Sequence, residues 1–254
     1  MSALFEFDDV SLRKQDMVVL DRVTVSIPGR GVTVVIGASG AGKSSLLRCC
    51  NRLEAPTGGI VRFHGEDLST LPPLAHRRCV AMVFQAPTPF PGTVLDNLRA
   101  VTPDLDIDTG AELLARVGLD PAKLERSADS LSGGEAQRMV VARALTTDPE
   151  VLLADEATSA LDATATTRLE ELARTFAHGG MPVVWVTHDL HQMRRLADQL
   201  VVMRSGRVLW SGAGDDGEAD AAIELALCDP PAVDDVYKPQ QPIDRNAPDR
   251  NDNN

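Results

Sequence analysis

The sequence predicts an α/β fold: a mixed sheet with helices, preceded by an antiparallel β layer and interrupted by an inserted helical lobe. Three observations lead to this prediction. Apolar, β-branched runs that are typical of buried parallel strands alternate with helical patterns along most of the chain. Short strand-like runs without helices between them occupy residues 4–36, which favours antiparallel pairing there. Two helical pieces then interrupt the alternation over about residues 86–130.

The same patterns give the individual elements. Strands are predicted over Leu4–Phe7, Val18–Leu20, Val23–Ile27, Val32–Ile36, Ile60–Phe63, Cys79–Phe84, Val151–Ala154 and Val183–Val186. Helices are predicted over Ser44–Arg52, Thr93–Arg99, Ala111–Val117, Ala163–Ala177 and Leu190–Ala197, and Leu131–Glu135 is predicted to open a further helix of about 11 residues that ends at Leu145. Leu200–Met203 and Arg207–Trp210 are predicted to form a hairpin about Ser205-Gly206.

Length and composition indicate one large globular domain or a domain plus a small lobe. The chain has 254 residues, of which 43% are hydrophobic and 24% charged, and this is enough to bury a substantial core. We predict that residues 1–228 form the folded domain. Residues 229–254 are rich in Pro and Asp and poor in large apolar side chains. Because such a segment cannot offset its ordering entropy, we predict a disordered tail there.

Charge and cysteine usage indicate the compartment. The net charge of −12 disfavours nucleic acid as the main partner, because neutralising phosphates needs a basic surface. The first residues lack a signal-peptide pattern, and the longest apolar run is six residues, far short of the about 20 that span a bilayer. Cys49 and Cys50 are expected to be buried and reduced, since no C-x-x-C spacing occurs. A soluble, cytoplasmic chain is therefore expected.

A glycine-rich loop follows the predicted strand Val32–Ile36 and precedes a predicted helix. It fits the pattern G-x-x-x-x-G-K-[ST] at every fixed position and consists of Gly37, Ala38, Ser39, Gly40, Ala41, Gly42, Lys43 and Ser44. In this context successive backbone N–H groups converge on phosphate oxygens at the positive end of the helix. Lys43 would reach the β- and γ-phosphates, and Ser44 would bind Mg²⁺. The loop, called the P-loop below, predicts a nucleoside triphosphate site and a P-loop NTPase core.

Four further side chains stand at the ends of predicted strands. Asp155 closes an apolar strand, where a P-loop enzyme needs a carboxylate for Mg²⁺, and Glu156 is placed beside it to polarise the attacking water. Gln85 could contact both the metal and the water, and His188 could contact the γ-phosphate. Taken alone, Gln85 and His188 could equally be structural polar groups.

A second glycine-rich helix start lies far from the first in sequence. Ser132, Gly133 and Gly134 precede a predicted helix, so free N–H groups and a hydroxyl could hold an anion there. One nucleotide does not need two cradles from distant segments. We therefore expect this cradle to serve the γ-phosphate that a second copy of the chain binds, in a head-to-tail, two-fold dimer with ATP sandwiched between the copies. An ordinary helix N-cap is the simpler alternative.

With these motifs in place, the chain resembles an ATP-binding cassette (ABC) ATPase, the nucleotide-binding subunit of an ABC transporter. The segments that carry the resemblance are GASGAGKSS (37–45), Gln85, LSGGEAQR (131–138), VLLADEATSALD (151–162) and WVTHD (185–189). The resemblance implies that Ser45 joins the nucleotide-binding residues and that Asp155 is the Walker B acid. It also implies that Glu156 is the general base, Gln85 the Q-loop, Asp162 the D-loop acid that crosses the dimer and His188 the switch histidine. An active ATPase that uses ATP and Mg²⁺ is expected.

Three positions depart from the family pattern. Lys14 occupies the region in which the family usually has an aromatic residue that stacks on adenine. Its aliphatic stem or a cation–π contact would then recognise the base, which puts strict adenine preference in doubt. Glu135 replaces the commoner Gln of the signature, the family motif that reads LSGGE here (131–135). Ser127–Ser130 lacks the Gly-Glu-x-Gly stretch of fused exporters, which favours a separate subunit.

The resemblance implies a peripheral protein, held at the cytoplasmic face of the membrane by an integral membrane permease subunit. Residues 84–91 resemble phosphate-importer ATPases, whereas the short lobe and the segment 184–189 look more like metal or iron exporters. Phe90, Leu95 and Leu98 could offer an apolar surface to the permease or could be the core of the lobe. The rival functions are a soluble ABC ATPase acting on DNA or ribosomes and a regulatory cassette that binds ATP without transport.

Overall fold

The computed structural model describes residues 3–214, 217 and 219–227. Its first sheet is antiparallel and has the strand order β2-β1-β4-β5. These strands are β1 (Ala3–Lys14), β2 (Met17–Pro28), β4 (Gly58–Phe63) and β5 (Glu66–Asp67). The antiparallel N-terminal layer expected from the sequence is therefore present, together with the α/β fold class.

The N-terminal layer differs from the prediction in that its first two strands are long. Val18–Leu20 and Val23–Ile27 belong to one strand, β2, rather than to two. The register of β1 against β2 shifts between Phe7 and Val10 and again between Val10 and Leu12. Asp9 and Arg22 have positive φ angles of 50° and 49° at these shifts. Such bulges break the alternation of apolar and polar residues from which strands are recognised in a sequence.

The second sheet contains the parallel strands and has the order β10-β9-β3-β8-β7-β6. Its members are β3 (Val32–Ile36), β6 (Val80–Val83), β7 (Val151–Asp155), β8 (Val183–Thr187), β9 (Gln199–Arg204) and β10 (Arg207–Ala213). All neighbouring strands are parallel except β9 and β10, which form the predicted hairpin. Every residue of β3, β7 and β8 is buried, as the continuous apolar runs predict.

Eight α-helices occur in the part of the chain that the structure describes: α1 (Lys43–Cys50), α2 (Pro73–Cys79), α3 (Val94–Arg99), α4 (Ile107–Arg116), α5 (Gly133–Leu145), α6 (Ala163–His178), α7 (Leu190–Leu196) and α8 (Ala219–Leu227). Helices α2 and α8 were not predicted. Cys79, predicted to open a strand, is the last residue of α2, because Pro73 at the first turn starts a short helix in a segment that looks like a loop. None of the described helices is both long and apolar enough to cross a membrane.

The segment predicted as a helical lobe contains α3, α4 and two short 3-10 helices, Pro121–Lys123 and Ala128–Ser130. Leu95 and Leu98 are buried in the core that these helices share with α5. The idea that they offer an apolar surface is therefore wrong, and the alternative of a lobe core is correct. Phe90, in contrast, is 44% exposed, and the guanidinium of Arg143 lies 4.4 Å from its ring centroid.

Two apolar cores lie on the two faces of the parallel sheet. Because successive residues of a strand point to opposite faces, Val34 contributes to the core with the lobe and α5–α7, and Val35 to the core between the two sheets. Cys49 and Cys50 are free and buried in the second core, as predicted. Burial raises the pKa of the Cys49 thiol to about 12. The tail predicted over residues 229–254 lies outside the described residues.

Candidate active site

The predicted site residues follow strands whose carboxyl ends are aligned at one edge of the parallel sheet. Ile36 pairs with Thr187, Asp155 with Val186, and Val83 with Ala154. The residues that come directly after these positions therefore leave the sheet side by side. This edge is where open α/β sheets place their ligands.

The P-loop connects the end of β3 to the start of α1. Gly42 caps α1 with a φ of 97°, and a Cβ at this position would lie 2.8 Å from the carbonyl oxygen of Val19. Glycine is therefore required there both for the left-handed backbone and for the close approach. At Gly40 an added Cβ would meet no atom within 4 Å. The loop thus presents open space on one side, as a phosphate cradle requires.

Lys43 lies beneath this loop and is only 4% exposed. Its ammonium donates hydrogen bonds of 2.9 Å to the carbonyl oxygens of Gly37 and Ala38 and lies 3.9 Å from Oε1 of Glu156. Burial lowers the pKa of Lys43, while the charges of Glu156 and Asp155 oppose this effect. The cation is held at the point where the loop and the acidic strand end meet.

Ser44 and Asp155 form the pair that was predicted to bind Mg²⁺. The Ser44 hydroxyl donates a 2.7 Å hydrogen bond to Oδ1 of Asp155. Two oxygen ligands, one of them a carboxylate, suit Mg²⁺, which usually takes few protein ligands and shares the rest between phosphates and water. No group of three or more His, Cys, Asp or Glu side chains able to hold a metal occurs in the described part of the chain. The chemistry of this pair fits Mg²⁺ bound together with a nucleotide.

Glu156 stands between Lys43 and His188. Its Oε1 lies 3.6 Å from Nδ1 of His188, and its backbone N–H donates to the carbonyl oxygen of Val186 over 3.2 Å. The φ of Glu156 is 48°, an uncommon conformation for a non-glycine residue and one that is often found at functional sites. The structure thus brings two of the predicted residues, Lys43 and His188, to the carboxylate of a third.

Gln85 leaves the same edge of the sheet but stands apart from this cluster. It is exposed, just beyond the end of β6. Among the described residues, no hydrogen bond joins its side chain to Asp155 or Glu156. The end of β6 is itself held by Gln137, whose Nε2 donates to the carbonyl oxygen of Phe84 over 3.0 Å.

Ser132 is the N-cap of α5 and forms a capping box with Glu135. Oε2 of Glu135 accepts from the N–H of Ser132 over 3.0 Å, and Nζ of Lys123 lies 2.5 Å from Oε1. The bonds from Lys123 and from the Ser132 backbone lower the pKa of Glu135 to about 2. The acidic variant of the signature is therefore explained locally, since Glu135 has a cationic partner in the lobe.

The two signature glycines differ in their surroundings. An added Cβ would meet nothing within 4 Å at Gly133, whereas at Gly134 it would lie 2.7 Å from Cβ of Ala165. Asp162 caps α6 by accepting from the N–H of Ala165 over 2.8 Å. Gly134 and Asp162 are therefore joined through the start of α6, and Gly133 faces open space.

Sequence reasoning missed a chain of charges behind the P-loop. Nζ of Lys14 lies 2.6 Å from Oε1 of Glu54 and 3.2 Å from the hydroxyl oxygen of Ser45. Arg48 lies 3.4 Å from the same Glu54 oxygen and 3.7 Å from Oδ2 of Asp155. Arg48 could have been found, because on a helix a residue four positions after Ser44 shares its face. Glu54 lies beyond the end of α1, so no helical spacing relates it to Ser44.

A phosphate loop at a helix N-terminus, a neighbouring hydroxyl–carboxylate pair and a second acidic residue define a P-loop nucleoside-triphosphate-binding protein. Comparison with known families makes this specific, because residues 20–159 match the sequence profile described as "ABC transporter". The chain belongs to the ABC transporter family and contains its ATP-binding domain.

Individual relatives agree with this assignment. The chain is 46% identical to "Protein STAR1" of Oryza sativa subsp. japonica over 198 residues, 75% of this chain and 57% of that protein. It is 38% identical to "Methionine import ATP-binding protein MetN" of Haemophilus ducreyi over 221 residues, which are 83% of this chain and 64% of that protein. It is 39% identical to "Phosphate import ATP-binding protein PstB 2" of Synechococcus sp. (strain JA-3-3Ab) over 212 residues, which are 78% of this chain and 80% of that protein. The chain thus spans less than two thirds of the length of the first two relatives.

A solved structure supports the fold. The chain matches cbiO1 from Clostridium perfringens, described as part of the ABC transporter complex cbiONQ, with a TM-score of 0.78 and 24% identity. The match covers 88% of this chain and 93% of that one. The predicted ABC ATPase fold is confirmed.

Proposed function

We propose that this protein is the ATP-hydrolysing subunit of a transporter and that it drives a solute through a separate integral membrane permease. The observation that carries the proposal is the convergence of Lys43, Glu156 and His188 beside the Ser44–Asp155 pair. This arrangement contains a cation for phosphates, a metal-binding pair and a carboxylate next to a histidine. The names of two relatives describe import ATP-binding proteins, which supports a transport role.

In the proposed mechanism the P-loop N–H groups and Lys43 bind the phosphates of ATP. Bound Mg²⁺, held by Ser44 and Asp155 with Gln85 approaching from the next strand end, would neutralise the charge that develops on the phosphates. Glu156 accepts the proton of the attacking water as general base. His188, 3.6 Å from Glu156, orients that carboxylate and contacts the γ-phosphate.

The proposal further includes a head-to-tail dimer with ATP between the two copies. Ser132, Gly133 and Gly134 of one copy would complete the site built on Lys43 and Ser44 of the other, and Asp162 would cross the interface. The open space at Gly133 supports this arrangement, because the start of α5 can then approach a phosphate closely. ATP would join the copies, and its hydrolysis would release them.

A groove beside the lobe is the proposed contact with the permease, which would hold the chain at the cytoplasmic face of the membrane. The cavity measures about 300 Å³, and its lining includes Arg77, Arg78, Phe84 and Arg143. Phe84 is 42% exposed. An exposed ring among three guanidinium groups suits an amphipathic helix that carries acidic residues.

The solute is proposed to be set by the permease. Phosphate import, suggested by residues 84–91, has the support of PstB 2 at 39% identity, but MetN named for methionine import is 38% identical. Metal or iron export remains the alternative that the sequence suggested. Action on DNA or ribosomes is the less favoured alternative, because cassettes of that kind usually carry a long coiled-coil insertion, whereas the longest helix in the described part of the chain has 16 residues.

The key test is Glu156→Gln, with Glu171→Gln as the matched control. Glu171 is exposed on α6, so the loss of its charge should leave ATP binding, phosphate release and dimerisation as in the wild type. We expect Glu156→Gln to bind ATP like the wild type, to lose steady-state phosphate release and to form a stable dimer with Mg²⁺-ATP in light scattering. Hydrolysis by Glu156→Gln at the wild-type rate would contradict the assignment of the base.

A second experiment tests the partner. The tagged wild-type chain should co-purify with a detergent-solubilised membrane protein and should not co-sediment with ribosomes or DNA. The opposite result would favour the soluble ABC ATPase instead.

A further inference from the structure

A buried amide joins two segments of the candidate site. Gln192 lies on α7 and is 3% exposed. Its Oε1 accepts from the indole Nε1 of Trp185 over 3.0 Å. Its Nε2 donates to Oε1 of Glu170 over 2.9 Å and to the hydroxyl oxygen of Thr158 over 3.0 Å. Both amide hydrogens and the amide oxygen are therefore used.

The chemistry of these neighbours fixes the orientation of the amide. An indole N–H can only donate, so it must face the Gln192 oxygen. The Glu170 carboxylate oxygen accepts, and Arg195 donates two bonds of 2.7 Å to the same carboxylate. The amide cannot rotate by 180° without placing two acceptors together. Its second N–H must consequently point at Thr158.

Thr158 stands in the middle of the segment that links Glu156 to Asp162. One turn is closed by a 3.1 Å bond from the N–H of Ser159 to the oxygen of Glu156, and the next by a 3.0 Å bond from Leu161 to Thr158. The two turns overlap at Thr158 and Ser159. A hydroxyl fixed at this residue therefore restricts the backbone that carries Glu156, whose φ of 48° is itself strained.

Helix α7 in turn begins at Leu190, two residues after His188. Asp189 caps it by accepting from the N–H of His191 over 2.8 Å. Gln192 thus connects the turn after Glu156 to the helix that follows His188, and it does so from a rigid buried network. The separation of 3.6 Å between Glu156 and His188 depends on how these two segments are held.

We propose that Gln192 is a positioning residue for hydrolysis, which holds the Glu156 carboxylate in register with His188 through the hydroxyl of Thr158. The proposal rests on the proposed role of Glu156 as general base. Gln192 is buried and acts through its bond to Thr158 rather than by direct contact with the nucleotide. Loss of its bond should therefore lower kcat and leave ATP binding at the P-loop unchanged.

The test uses the full chain with Thr158→Val and Gln192→Leu, which each remove a hydrogen-bonding group at similar size, and with Thr158→Ser as the matched control. Thr158→Val removes the hydroxyl at nearly constant volume, whereas Thr158→Ser keeps it. We expect Thr158→Val and Gln192→Leu to lower kcat at least about tenfold, since misplacing a reacting group by about 1 Å can cost about a hundredfold. The dissociation constant for ATP should change by less than about twofold, and Thr158→Ser should retain the wild-type kcat.

Leu196→Ala is the control for a purely structural effect. Leu196 is buried on α7 and belongs to the apolar core rather than to the hydrogen bonds around Gln192, so this change should lower the melting temperature and leave kcat unchanged. If Gln192→Leu does not fold, the pair of Thr158 variants carries the test alone. A wild-type kcat in Thr158→Val, or equal losses in Thr158→Val and Thr158→Ser, would overturn the inference. A wild-type chain that binds no ATP would refute the proposed function itself.

Discussion

Replacing Gly133 by alanine should leave the fold intact and weaken the ATP-dependent dimer. Gly133 is the first residue of α5, and an added Cβ would meet no atom within 4 Å. The methyl group therefore causes no clash inside one chain. It lies instead on the surface that is proposed to approach the phosphates bound by a second copy.

The expected magnitudes follow from the local structure. Within the chain, Gly→Ala in a helix contributes at most about 0.5–1 kcal/mol of stability, so the melting temperature should stay constant or rise. The capping box occupies the N–H groups of Ser132 and Glu135, and among the described residues no hydrogen bond is found from the N–H groups of Gly133 and Gly134. A methyl group that displaces one such donor from a phosphate should cost about 1.5–3 kcal/mol. A two-fold dimer contains two such sites, so the total loss is about 3–6 kcal/mol, which corresponds to a dimer weakened roughly 100- to 20,000-fold.

The assay compares dimerisation of Glu156→Gln with and without Gly133→Ala, by light scattering against protein concentration in Mg²⁺-ATP. Gly134→Ala provides the contrast, because its Cβ would lie 2.7 Å from Ala165 and should destabilise the folded chain by about 1–3 kcal/mol. If Gly133→Ala dimerises as tightly as its parent, the start of α5 does not meet the nucleotide of a second copy. The dimer proposed for this protein would then need a different interface.

Two further changes test the charges around the site. Lys14→Met removes a half-exposed ammonium, so the free energy of unfolding should change by less than about 1 kcal/mol. ATP titration should nevertheless show weaker binding, because that ammonium lies 3.2 Å from Ser45, and an unchanged affinity would contradict a role at the site. Glu135→Gln should destabilise the protein most above pH 5, because a carboxylate whose pKa is lowered to about 2 stabilises the fold above its ordinary pKa and loses this effect as the pH falls toward 2. Denaturant unfolding from pH 7 to pH 3 measures the difference, and a difference that stays constant would contradict the ion pair with Lys123.

The parts of the site that could be predicted are those whose signal is local in sequence. The P-loop, Asp155 and Glu156 each follow a buried apolar strand, and parallel strands bring their carboxyl ends to one edge whatever the loops between them do. Sequence therefore predicted which residues meet at this edge. It could not predict that Glu156 lies between Lys43 and His188 while Gln85 stands apart, because these distances depend on how loops leave the sheet.

The parts that could not be predicted depend on contacts between distant segments. Lys14 departs from the family pattern, but its partner Glu54 is 40 residues away. The two residues share no helix or strand whose repeat could have indicated that they are in contact. Gln192 looks like an ordinary polar residue of a short helix, and only the fold places Thr158 and Trp185 around it. Bulges such as Asp9 disrupt the alternation on which strand prediction depends.

The structure also indicates how the two halves of the proposed composite site would be linked within one chain. Glu156 belongs to the phosphate edge through Lys43 and His188, and Asp162 belongs to the signature half, since the helix it caps presents Ala165 to Gly134. The six-residue step from Glu156 to Asp162 consists of two hydrogen-bonded turns, which leaves little freedom for one end to move alone. A shift of the signature against a second copy would therefore change the position of Glu156. Rigid linkage of this kind would allow hydrolysis only when both halves of a composite site are in place.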